Sequence, residues 1–190
     1  MIELQRTAGN RAVALALQRS ESTGAPTLQL LDLGDIGLGL DGWALAEQAV
    51  QASATKHDIS QIYVEDLKRY AEAAPDDGKI LLSALGQQPK HFKGGALLAA
   101  QKDAAAITFG KSIFYKDDPT MATFIHEMVH IHQYKTLGRE AFLLSYFGLS
   151  LATIIKRALK GEPIEAMKSS PHEEQAYALE NRFKKWRFGT

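Results

Sequence analysis

The five residues 126–130 read H-E-x-x-H, with His126, Glu127 and His130 as the motif residues and apolar residues before and between them. Positions i and i+4 of a helix lie one turn apart on the same face, so both imidazoles can reach one metal ion. The glutamate beside the first histidine can then address a water on that ion, which is the chemistry of metal-assisted hydrolysis. An ordinary amphipathic helix can also carry two histidines on one face. We favour the metal-binding interpretation and expect the chain to be organised around this helix.

The residues around the motif fit a strand followed by a helix. Residues 106–116 are rich in β-branched and aromatic side chains and are interrupted at Gly110, which predicts two short strands or one strand bulged at the glycine. The following Asp-Asp-Pro-Thr offers an N-cap, with Pro119 at the first helical position. The motif helix is therefore predicted to run from about residue 119 to residue 137 and to stop at Gly138.

The remaining sequence predicts a mostly helical protein. Helices are expected at residues 43–54, 64–74, 80–85, 140–160 and 171–185. Residues 75–78, Pro-Asp-Asp-Gly, predict a turn, and residues 91–95 predict a loop. His57 and His91 stand in polar surroundings, so we expect both on the surface. Together these patterns predict an α+β fold, mostly helical, with the motif helix beside a small β-element.

Two segments precede the predicted domain. Residues 1–19 predict a helical segment in which Asn10 can cap a helix. Residues 20–42 mix glycine, proline and serine with scattered aliphatic residues, as linkers do. Their Asp and Gly residues lack the D-x-[DN]-x-[DN]-G spacing of a calcium loop. The predicted organisation is a helical segment at 1–19, a linker at 20–42 and a globular domain at 43–190.

The composition narrows the kinds of site and partner. Lys+Arg and Asp+Glu number 22 each in the 190 residues, so the net charge does not indicate binding to nucleic acid or to an anionic membrane. Cysteine is absent, which excludes thiolate zinc sites, and a metal must be held by His, Asp or Glu. The N-terminus lacks the apolar core of a signal peptide, and the longest apolar stretch, residues 141–155, is short for a membrane span. We expect a cytoplasmic protein in which that stretch is a buried helix, with a membrane-active effector as an alternative.

A catalytic zinc ion usually has three protein ligands and one open position, so the two histidines need a third partner. The metzincin extension requires Gly at position 133 and His at position 136, where this chain has Gln133 and Thr136. No aspartate follows Asp118. His132 lies about 200° around the helix from His130 and is expected to point away. The third ligand is therefore sought among the glutamates and His172.

The best candidates stand at the start of the last predicted helix. Glu173 or Glu174 can turn back toward the motif helix, and the small Ala176 lets the two helices approach closely. We favour Glu173, followed by Glu174 and His172. The same acidic residues would also complement the N-terminal dipole of their helix without binding a metal.

Two tyrosines lie one turn beyond predicted ligands. Tyr177, four residues after Glu173, can donate a hydrogen bond to the oxyanion of a tetrahedral intermediate. Tyr134, four residues after His130, is a weaker candidate, and either tyrosine can instead serve packing. The favoured site thus has catalytic residues Glu127 and Tyr177 and metal ligands His126, His130 and Glu173, with Glu174 and His172 as open alternatives to Glu173.

Three segments together resemble gluzincin-type H-E-x-x-H proteins of bacteria: ITFGKSIFY at 107–115, FIHEMVHIHQY at 124–134 and PHEEQAY at 171–177. More narrowly, they resemble the zincin domains found with bacterial extracellular contractile injection systems. The segment LQRTAGNRAV at 4–13 is similar to a short N-terminal segment that recurs in such proteins. The resemblance implies zinc held by His126, His130 and Glu173, with Glu127 as the general base.

One departure from the gluzincin pattern concerns a zinc-bound histidine. Many gluzincins have an acidic residue four positions after the glutamate ligand, where it orients such a histidine. This chain has Tyr177 at that position. Zinc-bound histidines normally have an orienting partner, so here that partner must come from elsewhere.

The expected function is that of a zinc metallopeptidase acting on a peptide or protein substrate. Glu127 would activate a zinc-bound water for hydrolysis, and the strand at 107–115 would lie along the cleft and pair with an extended substrate. The resemblance further implies an effector or accessory protein of a contractile injection system, loaded through residues 4–19 and exported without a signal peptide. The alternatives are a catalytically inactive zincin scaffold, kept as a structural or cargo protein, and the membrane-active effector.

Overall fold

A computed structural model of the chain describes residues 47–101, 104–147 and 170–189. All of these belong to one compact unit that comprises residues 38–190. The predicted helical segment at 1–19 and the predicted linker at 20–42 lie outside the described residues. No helix among the described ranges is long and apolar enough to cross a membrane.

The described chain alternates short strands with helices. Residues 47–52 are helical. They are followed by β1 (Thr55–Lys56), α1 (Gln61–Ala73), α2 (Pro75–Leu85), β2 (Lys90–Lys93), α3 (Ala96–Ala99), β3 (Ala106–Phe109), β4 (Ser112–Tyr115), α4 (Met121–Leu137), α5 (Arg139–Phe147) and α6 (Pro171–Phe188). The architecture is α+β and mostly helical, as predicted.

Four strands form one mixed sheet in the order β1-β2-β4-β3. β1 and β2 are antiparallel, β2 and β4 are parallel, and β4 and β3 are antiparallel. The prediction of a loop at residues 91–95 is wrong, because β2 occupies most of that range. β2 pairs on both sides, so its short, polar sequence is held extended by its neighbours.

The β3–β4 hairpin confirms the prediction of two short strands interrupted at a glycine. Gly110 stands between them with φ 63°, in the left-handed region that glycine adopts without strain. The carboxylate of Glu47 closes the turn, since it accepts hydrogen bonds from the Lys111 backbone N–H at 3.3 Å and from Ser112 Oγ at 2.8 Å.

The connection between helices α1 and α2 differs from the prediction of a turn at residues 75–78. These residues form the first turn of α2 instead of a turn between helices, since Pro75 is tolerated at the N-terminus of a helix, where no intrahelical donor is lost. Gly78 lies where α2 meets α1, and a Cβ there would stand 2.4 Å from the carbonyl oxygen of Ala71. The glycine therefore permits the close approach of the two helices.

The motif helix α4 begins two residues later than predicted. Thr120 is its N-cap, and the Thr120 side chain accepts a hydrogen bond from the Thr123 backbone N–H at 3.0 Å. Pro119 therefore precedes the cap instead of opening the helix. The helix ends at Leu137 and Gly138 caps it, as predicted. Most of its circumference is buried, and its apolar residues belong to the main core: Phe124, Ile125, Met128, Val129 and Ile131.

Helices α5 and α6 pack against α4 and complete its surroundings. α5 falls within the helical region predicted at 140–160, and residues 148–160 lie outside the described ranges. The N-cap of α6 is Ser170, and Pro171 is its first helical residue. The Ser170 side chain accepts a hydrogen bond from the Glu173 backbone N–H. Ala176 of α6 is fully buried in the core. The fold thus brings the start of α6 to the predicted metal-binding face of α4.

Candidate metal centre

The two histidines of the motif face each other across one turn of α4. Their Nε2 atoms are 3.2 Å apart, and their ring centroids are 4.9 Å apart with the planes at 76°. His130 is buried, and the His126 side chain is 12 % exposed. The motif spacing thus places both Nε2 atoms within reach of one metal position.

Of the three candidates for a third ligand, only Glu173 lies close to both Nε2 atoms. Its Oε2 lies 3.2 Å from His126 Nε2, and its Oε1 lies 3.5 Å from His130 Nε2. Glu174 is exposed. The imidazole of His172 instead contacts α5, with its Nε2 2.8 Å from Ser145 Oγ. Within the described residues, His126, His130 and Glu173 are the group whose geometry could hold a metal ion.

The other nitrogen of each histidine contacts a side-chain oxygen. His126 Nδ1 is 3.0 Å from Glu180 Oε2, and His130 Nδ1 is 2.8 Å from Gln133 Oε1. The orientation of the Gln133 amide is fixed by its nitrogen, which donates to the His172 carbonyl at 3.0 Å and to the Gln175 side-chain oxygen at 2.8 Å.

These partners determine the tautomers of the two histidines. Each Nδ1 donates a proton to its oxygen partner, so a ring in its neutral form turns the lone pair of Nε2 inward. Two lone pairs and the Glu173 carboxylate then converge. Three such groups repel one another unless a proton or a metal cation lies among them.

The arrangement fits a zinc ion by distance and by donor type. Zinc–ligand distances of roughly 2.0–2.1 Å and tetrahedral angles place neighbouring ligand atoms about 3.3 Å apart. The contacts of His126 and His130 with each other and with Glu173 range from 3.2 to 3.5 Å. Glu173 Oε2 is buried and has no hydrogen-bond partner among the described residues. Two imidazoles and one carboxylate are also a donor set of catalytic zinc sites.

In the metal-free protein, the repulsion among these groups shifts the pKa values of His126 and Glu173. Burial lowers the pKa of His126, but its contacts with the Glu173 and Glu180 carboxylates outweigh that effect and raise it to about 10. Burial raises the pKa of Glu173, but the adjacent His126 and His130 hold it well below its ordinary value. A proton thus supplies the positive charge that the three converging groups require.

Glu127, the predicted general base, lies beside this group without belonging to it. Its side chain is buried, and its Oε2 accepts a hydrogen bond from Thr108 Oγ1 at 2.7 Å. Thr108 is the third residue of β3, so the hairpin orients the carboxylate from outside the motif helix. One oxygen of Glu127 is thereby fixed.

Three tyrosines surround the site in different ways. The ring of Tyr177 stands edge-on to that of His126, with centroids 4.6 Å apart, and 53 % of Tyr177 is exposed. Tyr146 of α5 is buried, and its hydroxyl donates a hydrogen bond to Glu173 Oε1. Tyr134 packs against Phe142, with ring centroids 4.1 Å apart. Tyr177 therefore lies where the sequence predicted it, and Tyr146 reaches the site unexpectedly.

Sequence reasoning missed four residues that contact the site: Thr108, Gln133, Tyr146 and Glu180. Two of them carried a signal. Glu180 is seven residues after Glu173 on α6, and Gln133 is three residues after His130 on α4, so helical spacing alone puts each on the face of a ligand. Glu180 contacts His126 Nδ1 and so stands where the sequence required an orienting partner other than Tyr177. Thr108 and Tyr146 come from other elements, and no spacing rule connects them to the motif.

Three further histidines lie away from the ligand group. His132 is half-buried, with its Nε2 3.3 Å from Thr136 Oγ1. The prediction that His57 and His91 are surface residues is wrong, because both are half-buried. Burial, aided by the charge of His57, lowers the pKa of His91 to about 4. His91 Nδ1 lies 3.1 Å from the hydroxyl of Tyr115, so β2 and β4 enclose the ring that was expected in a loop.

Comparison with known proteins gave no match, whether with protein-family models, with curated proteins or with solved structures.

Proposed function

We propose that this chain is a zinc-dependent metallopeptidase. The observation that carries the proposal is the convergence of His126 Nε2, His130 Nε2 and the Glu173 carboxylate, at separations of 3.2 to 3.5 Å, beside the separate carboxylate of Glu127. His126, His130 and Glu173 would hold the ion. Glu180 and Gln133 would keep the two imidazoles in the tautomer that ligation requires.

The chemistry assigned to Glu127 follows from its position. A bound zinc ion supplies Lewis acidity toward a substrate carbonyl and toward water. Glu127 Oε2 accepts from Thr108, so Oε1 is the oxygen left to take a proton from the attacking water. The same oxygen returns that proton to the leaving amine. Tyr177, beside His126, can donate its hydroxyl proton in a hydrogen bond to the oxyanion.

Support for a peptide substrate comes from the edge of the sheet. Within the described residues, β3 pairs with β4 only. The Ala105 carbonyl accepts from the Lys116 N–H at 2.9 Å. In an antiparallel pair of strands, the backbone N–H and C=O groups of successive residues point alternately toward the partner strand and away from it. Those of Ala106 and Thr108 therefore point away from β4. These groups can pair with an extended peptide, and Thr108 places that peptide next to Glu127.

The decisive experiment separates metal binding from hydrolysis. Glu127→Gln keeps the size of the side chain and leaves the three ligands intact, so we expect zinc content equal to wild type. Loss of the general base should lower the hydrolysis rate about 10²- to 10⁴-fold. His126→Ala should lose both zinc and hydrolysis. Metal analysis of the purified proteins and cleavage of a peptide library provide the two readouts.

Two outcomes would contradict the proposal. Undiminished hydrolysis by Glu127→Gln would remove the assigned mechanism. A wild-type protein that binds zinc at His126, His130 and Glu173 but cleaves no peptide in the library would instead support an inactive scaffold.

A further inference from the structure

Two adjacent side chains of α5 contact two adjacent residues at the start of α6. Ser145 Oγ lies 2.8 Å from His172 Nε2, and the Tyr146 hydroxyl donates a hydrogen bond to Glu173 Oε1. The second contact reaches a carboxylate that the proposed function assigns to the metal. Helix α5, which contributes no metal ligand, therefore touches the ligand set directly.

The surroundings of Tyr146 leave its ring little freedom. It is buried and lies parallel to Phe142, with ring centroids 5.2 Å apart and planes at 14°. It also stands edge-on to His130, with ring centroids 5.3 Å apart. Phe142 is itself packed against Tyr134 and His172. Aromatic packing from α4, α5 and α6 thus aims the Tyr146 hydroxyl at Glu173.

The two oxygens of Glu173 differ because of this contact. Oε1 accepts from Tyr146, whereas Oε2 is buried, has no hydrogen-bond partner among the described residues and lies 3.2 Å from His126 Nε2. A carboxylate can bind a metal through one oxygen or through both. A hydrogen bond to one oxygen favours ligation through the other, because it neutralises part of the charge on the oxygen that it occupies.

We infer that Tyr146 is a positioning residue that holds Glu173 as a ligand through one oxygen and so keeps a coordination position open for water and substrate. This rests on the proposed function, since it assumes a metal among His126, His130 and Glu173. Catalytic zinc sites keep such an open position, and a carboxylate that binds through both oxygens would occupy it. The packing of Tyr146 needs only its ring, and the hydroxyl is the part that reaches the ligand.

The test replaces zinc by cobalt(II), whose visible spectrum reports coordination number. We expect Tyr146→Phe, which keeps the ring and removes the hydroxyl, to weaken cobalt binding about tenfold or more in competition with a chelator. The visible absorption of the bound cobalt should also weaken, because the second Glu173 oxygen becomes a fourth protein ligand atom and raises the coordination number. Tyr63→Phe is the matched control. It removes a hydroxyl that donates to the Pro119 carbonyl and contacts none of the proposed ligands, so it should leave cobalt affinity and spectrum unchanged.

The outcomes separate this inference from the proposed function. Wild-type cobalt affinity and spectrum in Tyr146→Phe, with binding abolished in His126→Ala, would overturn the role of Tyr146 and leave the metal site standing. A wild-type chain that binds neither zinc nor cobalt would overturn both. Thermal unfolding of the metal-free Tyr146→Phe protein checks that the variant folds.

A measurement on the wild type alone gives a second test. The infrared difference between the metal-loaded and metal-free protein should contain widely separated carboxylate stretching bands, as ligation through one oxygen produces. A narrow separation, which is typical of ligation through two oxygens, would overturn the inference without any variant.

Discussion

Thr108 connects two parts of the site that are far apart in the chain. Its hydroxyl donates to Glu127 Oε2 at 2.7 Å, and both residues are buried. A buried carboxylate oxygen without its donor is less well held, because water cannot replace the lost hydrogen bond. The position of the proposed general base therefore depends on a side chain of β3.

This dependence gives a prediction at the scale of one residue. Thr108→Val keeps the shape of the side chain and removes the hydroxyl, so we expect kcat to fall about tenfold, the equivalent of ~1.4 kcal/mol. Zinc affinity should stay unchanged, because Thr108 contacts no ligand. Thr108→Ser, which restores a hydroxyl, should recover most of the activity. Hydrolysis assays with parallel zinc titrations measure both quantities, and full activity in Thr108→Val would contradict the role assigned to Thr108.

At the scale of elements, an ion pair between the exposed Arg182 and the buried Asp77 joins α6 to α2. Arg182 binds both oxygens of Asp77, at 2.9 and 2.7 Å, and the hydroxyl of Tyr70 on α1 donates to the same carboxylate at 2.5 Å. These three helices share the core with the motif helix. The contact therefore fixes α6, and with it Glu173 and Glu180, relative to the rest of the fold.

Removing the charge of Asp77 should destabilise the protein. We expect Asp77→Asn to lower the free energy of unfolding by about 1–3 kcal/mol, a range that takes account of the solvent exposure of Arg182. Asp76→Asn is the matched control, because the side chain of Asp76 is 97 % exposed and its ion pair with Lys79 is worth little. Urea unfolding at neutral pH measures both changes, and equal stabilities of the two variants would contradict the prediction.

The pH dependence of the same pair has a definite sign. Burial raises the pKa of Asp77, but the hydrogen bonds from Arg182 and Tyr70 outweigh it and hold the pKa below its ordinary value of 3.8. The stabilisation is therefore complete above pH 3.8 and is lost as the pH falls through the lower pKa of the folded state. The difference in stability between wild type and Asp77→Asn should shrink over that acidic range.

The elements that the sequence predicted well are those with strong local signals. The H-E-x-x-H helix, its stop at Gly138 and the hairpin around Gly110 each depend on residues next to one another in the chain. β2 depends on its partners, because Lys-His-Phe-Lys has no strand pattern of its own and pairs with β1 and β4. A single sequence contains no local trace of such pairing.

At the scale of the whole molecule, the candidate site collects side chains from β3, α4, α5 and α6. Elimination from the sequence favoured Glu173 over Glu174 and His172, and the fold places only Glu173 against both histidines. Its contact with Tyr146 could not be predicted, because it depends on how α5 packs against α4 and α6. The described parts of these four elements, which lie within residues 106–147 and 170–189, thus build the candidate site.

The role of the first residues remains a proposal of its own. Residues 4–13 resemble a segment that recurs in proteins of contractile injection systems, so we expect deletion of residues 1–20 to abolish association with such an apparatus. Zinc content and peptide hydrolysis should be retained, because every residue of the candidate site lies in the unit of residues 38–190. Co-purification with the apparatus and hydrolysis assays provide the readouts. Unchanged association after the deletion would remove the proposed role of this segment.

The alternating direction of the backbone N–H and C=O groups along β3 determines how any strand added to it would pair. Ala106 and Thr108 present their backbone groups two residues apart, so an added peptide can pair with them in more than one register. A slip of one residue would exchange every side chain of that peptide between its two faces. Because the Thr108 side chain also holds Glu127, a paired peptide would lie beside the proposed general base. The register of a bound peptide would then decide which of its side chains lie on the face of β3 that carries Thr108 and Glu127.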